Sequence, residues 1–315
     1  MASSMRKVSP FARRFAAALT LLLSACWWTG QRTADPSDPL VPGTTTAQRV
    51  STHDGTRRFV LHVPPAPPRR FGFARPYPLL LLLHGSSADG KAIEEQSGMD
   101  SIADRYHMVV AYPEGARSIL GRSSADWNAG ECCGYAQHNH VDDVDFLRAV
   151  ITDLSARLSI DQRRIYVGGF SDGGRMAYRA GCEMSDRVAA IAVVSGSLQL
   201  VGCAPARPVS LIAVHGTADS DVPYSNAVPG SDSVAALPGS ETTPPSVRYW
   251  ARAENCRTFR SQRVAPSVVR GDFGGCAGAA LTLLTFEGGT HRWPERIPPV
   301  DATEMIARFL LAQHR

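Results

Sequence analysis

Chemistry in this sequence first becomes possible at Gly169-Phe170-Ser171-Asp172-Gly173. The segment follows an apolar stretch, RIYVG, and opens a helical pattern, RMAYRAGCEM. Strand, sharp turn and helix are the setting in which G-x-S-x-G exposes a serine hydroxyl as a nucleophile. So tight a turn forces the serine into a strained backbone conformation, and residues lacking Cβ two before and two after it leave room for the chain. A serine hydroxyl is a weak nucleophile at neutral pH, so it needs a histidine to take its proton and an acid to orient that histidine. Nine histidines are available. His291 has the fitting place, in the Gly-rich segment Gly288-Gly289-Thr290-His291-Arg292-Trp293-Pro294 just after the last predicted strand. His84 and His215 also end strands, but a glycine follows each at once and suggests a backbone turn. His53, His62, His107, His138, His140 and His314 are expected to be surface or capping residues. The acid is expected to be Asp219, in the loop after the strand before the last, with Asp221 in reserve.

A developing oxyanion needs preorganised donors, each worth about 3–4 kcal/mol in the transition state. The N–H of Asp172 is one candidate, and the loop Gly85-Ser86 after the run LLLLLH supplies the second. The same loop, GSSADGKA from Gly85 to Ala92, nearly spells a phosphate-binding motif, but Ala92 stands where the hydroxyl that holds Mg²⁺ is required. No C-x-x-C pair or H-E-x-x-H helix offers metal ligands. Asp142 and Asp143 read as caps or loop ligands of the helix from Val144 rather than as a metal pair. Trp127 opens a polar, Cys-containing loop and Trp293 lies two residues past His291, so both are expected to wall an acyl or aryl pocket.

These residues need a frame. Apolar strand candidates lie at 58–63, 77–84, 108–112, 164–168, 189–195, 209–215 and 281–286. Helical patterns lie between and after them, at 92–106, 144–156, 174–184, 247–253 and 302–313. The alternation predicts an α/β fold, a mostly parallel sheet flanked by helices on both faces. The run YPLLLLLH is apolar throughout, as a strand covered on both sides should be. Residues 220–245 are loop-rich and predict an excursion over the sheet edge.

The chain has 315 residues, 44% of them hydrophobic and 20% charged, a normal globular mixture. Its net charge of +4 comes from Arg6, Lys7, Arg13 and Arg14, in a first stretch of 25 residues that holds no acid. The remainder is neutral with scattered bases, which argues against nucleic acid as partner. Residues 1–25 read as a signal peptide whose apolar run, FAAALTLLLSA, falls well short of the roughly 20 residues that a helix needs to span a bilayer. Leu23-Ser24-Ala25-Cys26 resembles a lipobox, making Cys26 a candidate lipid anchor and the sole membrane attachment expected. The alternative is ordinary cleavage nearby with Cys26 incidental, and either reading exports the protein. Residues 26–46, polar and Pro-rich, read as a tether, and 47–315 as one catalytic domain.

Seven cysteines less Cys26 leave an even six. Cys182 with Cys203 and Cys256 with Cys276 would close short loops, each worth about 3 kcal/mol in the chain-entropy model. Cys132 and Cys133 would then pair with each other. Neighbouring Cα atoms are about 3.8 Å apart across a trans peptide, below the roughly 4.4–6.8 Å usual for a disulfide, so that bond is expected to be strained.

Six blocks in order, LLLHG, WNAGECCG, VDDVDFLRAV, GFSDGGRMAY, HGTADSDVPY and GGTHRWP, together resemble the exported polyhydroxybutyrate depolymerase-like or LpqC-like esterases, relatives of the feruloyl esterases of carbohydrate esterase family 1. The resemblance covers roughly residues 55–313. It implies an α/β-hydrolase fold, the triad Ser171, Asp219 and His291 in that chain order, and no metal or organic cofactor. Thr290 and Glu295 depart from the family's more usual Gly-Gly-Gly-His-x-Trp-Pro-Gly, which alters the leaving-group side. The implied substrate is a carboxylic ester, first a hydroxyalkanoate polyester or oligomer, alternatively a feruloyl or acetyl ester of a plant polysaccharide. A serine exopeptidase would need a cap or propeller for which the chain has no room. A surface binding lipoprotein with a degenerate site would have no use for a strained serine.

Overall fold

The structure, a computed structural model, describes residues 40–66, 75–118, 125–230, 236, 237 and 239–315. The signal-peptide segment, Cys26 and the tether up to residue 39 lie outside the described residues. In chain order the elements are β1 (Thr44–Thr52), β2 (Gly55–Val63), β3 (Tyr77–Leu83), α1 (Gly90–Ser97), α2 (Met99–Tyr106), β4 (Val109–Pro113), α3 (Gly134–His138), α4 (Asp143–Arg157), β5 (Ile160–Phe170), α5 (Asp172–Glu183), β6 (Ala190–Val194), β7 (Ser210–Gly216), α6 (Pro245–Ala253), β8 (Thr258–Ala265), β9 (Val268–Gly274), β10 (Leu281–Phe286) and α7 (Ala302–Leu311).

One ten-stranded sheet runs in the order β1-β2-β4-β3-β5-β6-β7-β10-β9-β8. Strands β4, β3, β5, β6, β7 and β10 are parallel, and antiparallel pairs finish both edges. The run in β3 shows why its strand is apolar throughout. Leu79, Leu81 and Leu83 join a core with Phe146 and Val150 of α4, Met176 of α5 and Trp250 of α6. Leu80 and Leu82 face the other way, toward Ile93 of α1, Met99 and Ile102 of α2, and Ile306 and Leu310 of α7. All five leucines are fully buried, and each such side chain contributes about 1.5–3 kcal/mol over an exposed one. The sheet is sandwiched by helices, the α/β-hydrolase arrangement.

Four local expectations change. The helix read at 92–106 is two helices, because Gly98 takes a left-handed conformation and ends α1 with its N–H on the Glu94 carbonyl. Strand β1 begins at Thr44, so three residues read as tether lie in the sheet, hidden by their polar composition on an exposed edge. The β8–β9 hairpin leaves no signal in the sequence, since the largely exposed β8, TFRSQRVA, carries no apolar run. Helix α3, five residues long, is too short to leave a periodic signal. No helix among the described residues is long and apolar enough to cross a membrane.

Candidate active site

Ser171 stands between β5 and α5 with φ 55° and ψ −116°, a conformation that L-residues avoid and that costs about 1–3 kcal/mol. The turn is held by the Ser171 N–H on the Val194 carbonyl (2.9 Å) and the Arg175 N–H on the Ser171 carbonyl (3.0 Å). A Cβ on Gly169 would collide with the Gly173 carbonyl, and one on Gly173 with the carbonyls of Leu83 and His84. The glycines are therefore dictated by close backbone approach on both sides of the serine.

Strands β7 and β10 are parallel neighbours ending together at Gly216 and Phe286. The loops beyond those ends meet, with the Ala218 N–H on the Gly289 carbonyl (2.9 Å) and the Thr217 N–H on that of Phe286 (2.9 Å). This brings His291 Nδ1 to 2.9 Å from both carboxylate oxygens of Asp219. Because a carboxylate can only accept, Nδ1 carries the proton, and Nε2 is left to accept from the Ser171 hydroxyl at 2.9 Å. Burial alone would raise the Asp219 carboxyl, but the hydrogen bonds from His291 and the Val222 N–H hold it below its ordinary value. Asp221 is exposed and only its backbone reaches Asp219, by an N–H at 3.1 Å.

His215 ends β7 buried beside this group, and its Nε2–H donates to the Val222 carbonyl (2.8 Å), closing the 219–222 loop under Asp219. Burial lowers its pKa and keeps it neutral. Its side chain is thus a support that a following glycine could not reveal. His84 is likewise buried and lowered by burial, donating from Nδ1 to the Gly85 carbonyl and accepting the Gly115 N–H at Nε2. The ring of Phe170 packs on that of His291 with centroids 5.0 Å apart.

The Asp172 N–H lies in the first turn of α5, where N–H groups have no partner within the helix. The Gly85-Ser86 loop passes directly beside Ser171, since a Cβ on Gly85 would sit 3.2 Å from that of the serine. The two tryptophans part company. Trp293 is nearly buried, donates its indole N–H to Thr303 Oγ1, and lines a cavity of about 260 Å³ with Phe286, Pro294 and Ile297 beside the His291 loop. Trp127 corrects the expectation of a pocket wall: it is 0% exposed and belongs to the core behind the Gly85-Ser86 loop, where no substrate can touch it.

Disulfides join Cys182 to Cys203, tying α5 to the loop before β7, and Cys256 to Cys276 across the base of the β8–β9 hairpin. Cys132 is bonded to Cys133. Among the described residues, the grouping with metal-ligand geometry is these two sulfurs with Asp172, and the sulfurs are bonded to each other. Asp142 caps α4 through the Asp145 N–H, and the buried Asp143 accepts the Asn128 N–H and pairs with Arg57.

Residues 74–237 match the model of the phospholipase/carboxylesterase family. The chain belongs to that family. An esterase of Nocardia uniformis subsp. tsuyamanensis, NocK, is 30% identical to this carboxylesterase over 81% of its length and 76% of the relative's. Feruloyl esterase B of Piromyces equi is 31% identical over 68% of this chain, which spans only 39% of that protein. Among solved structures, an acetyl xylan esterase from Aspergillus awamori superposes with a TM-score of 0.60 over 84% of this chain and 98% of its own, at 14% identity, a likeness of fold. The protein is a serine carboxylic ester hydrolase of α/β-hydrolase fold.

Proposed function

We propose that this esterase works through an acyl-enzyme on Ser171, with His291 as general base and then general acid and Asp219 as its orienting carboxylate. The observation that carries the reading is the unbroken relay Ser171 Oγ, His291 Nε2, His291 Nδ1, Asp219, each contact at 2.9 Å. Ser171 Oγ adds to the ester carbonyl carbon as its proton passes to Nε2. The imidazolium is stabilised by Asp219, and the oxyanion by the Asp172 N–H and the Ser86 N–H. Collapse of the tetrahedral adduct breaks the bond to the alcohol, which leaves with the proton from His291. Water then repeats the sequence on the acyl-enzyme, releasing the acid and restoring Ser171.

The substrate class we infer is a polysaccharide ester of a hydroxycinnamic or acetic acid, supported by the sequence relationship to a feruloyl esterase and by the aromatic ring of Phe170 against that of His291. The three disulfides suit export to an oxidising compartment, with Cys26 as the lipid anchor. A panel of esters varying acyl and alcohol parts separately tests the substrate. Feruloyl and acetyl esters should lead 3-hydroxybutyrate oligomers in kcat/KM; the opposite ranking would replace this class with polyesters.

A further inference from the structure

The fully buried Trp127 makes two hydrogen bonds that meet the two halves of the oxyanion hole from behind. Its backbone N–H donates to Asp172 Oδ2 at 2.9 Å, on the residue whose own N–H opens α5. Its indole Nε1–H donates to the His84 carbonyl at 2.9 Å, at the start of the loop that carries Gly85 and Ser86. These two backbone segments come together over glycines, Gly85 against Ser171 and Gly173 against His84, so few side chains fix their spacing. We propose that Trp127 and the carboxyl group of Asp172 are positioning residues that cross-brace the oxyanion hole and set the distance between its two donors.

The brace is itself anchored. The imidazole of His84 lies against the indole, centroids 5.2 Å apart, and its two ring nitrogens are fixed by Gly85 and Gly115. The Cys133 N–H donates to the Trp127 carbonyl at 3.2 Å, and Arg175 of α5 donates from Nη1 to the sulfurs of both Cys132 and Cys133 at 3.0 Å. The loop bearing Trp127 is thus tied to the nucleophile helix at two levels. The Asp172 carboxyl is fully buried, its Oδ1 has no hydrogen-bond partner among the described residues, and burial pushes its pKa up to about 7.

The inference rests on the acyl-enzyme reading, and its test separates the two. Trp127→Phe keeps an aromatic side chain, smaller than indole, and drops the indole N–H; Asp172→Ala removes the acceptor, and Asp172→Asn restores one. Active sites are titrated with an aryl phosphonate, and kcat and KM for an aryl ester are measured per titrated site, with affinity for a boronic acid that mimics the tetrahedral adduct. Removing a donor outright costs roughly 10²–10³ in kcat, so displacing one should cost less: kcat in Trp127→Phe and Asp172→Ala is expected to fall about tenfold. KM should stay within about twofold, boronate affinity should fall in step with kcat, and Asp172→Asn should recover part of the loss. A merely structural role would lower stability and the number of titrated sites while leaving kcat per site intact. That outcome, in either Trp127→Phe or Asp172→Ala, overturns the proposal. Loss of phosphonate labelling from the parent protein would instead strike the acyl-enzyme reading itself.

Discussion

His291 Nε2 lies 2.9 Å from Ser171 Oγ although 120 residues separate them in the chain. Strand order accounts for the meeting: β5 and β10 are separated by β6 and β7 in one parallel sheet, and all four deliver their C-terminal loops to the same edge. The relay therefore depends on loops held at strand ends rather than on local sequence.

Asp219, the proposed orienting carboxylate, gives the first prediction. Asp219→Asn should lower kcat on an aryl ester by about 10⁴, because an amide lets the imidazole settle in the wrong tautomer. Asp221→Asn should change it less than about threefold, since only its backbone reaches Asp219. Steady-state kinetics of the two variants check the ranking.

A second prediction concerns pH and stability. Asp172 is neutral when folded until about pH 7, held up by burial against the Trp127 N–H and Arg175, with Asp126 and Asp143 adding repulsion. Unfolded, the group ionises near 3.9, so between those values the folded state binds more protons and stability falls as pH rises. Asp172→Asn removes this dependence. Its Tm relative to the parent protein should rise between pH 4.5 and pH 8, read by thermal denaturation; a constant difference would contradict the assignment.

Third, the bridge from Cys182 to Cys203 spans 21 residues and should contribute about 3 kcal/mol by restricting the unfolded chain. The double variant Cys182→Ala, Cys203→Ala should lose roughly that amount in urea denaturation while its kcat per titrated site changes little.

Fourth, expressed in a bacterium with its own N-terminus, the protein should partition into detergent with acyl mass on Cys26, and Cys26→Ser should abolish both. Intact-mass measurement of the mature chain decides between lipidation and plain cleavage.

Much of this architecture was legible because burial writes itself into composition. The leucines of β3 had to be covered on both faces, and the glycines around Ser171 had to leave room for passing backbone. What the sequence hid has equally physical causes. Strands β1 and β8 lie on exposed edges where polar residues suffice. Gly98 sits inside a continuous helical pattern, and only its left-handed conformation shows that α1 ends there. Trp127 illustrates the harder limit: a tryptophan in a polar loop suggests a ligand platform, whereas its two N–H groups found their partners just past β3 and on α5, 43 and 45 residues away in the chain.

In the proposed mechanism Ser171 carries the acyl group. A fluorinated aryl phosphonate should label the protein at one site per chain with parallel loss of esterase activity, and peptide mass mapping should place the adduct on Ser171 alone. Ser171→Ala should fold, lose labelling, and lose activity by several orders of magnitude. An adduct on another residue, or esterase activity retained in Ser171→Ala, would place the nucleophile elsewhere.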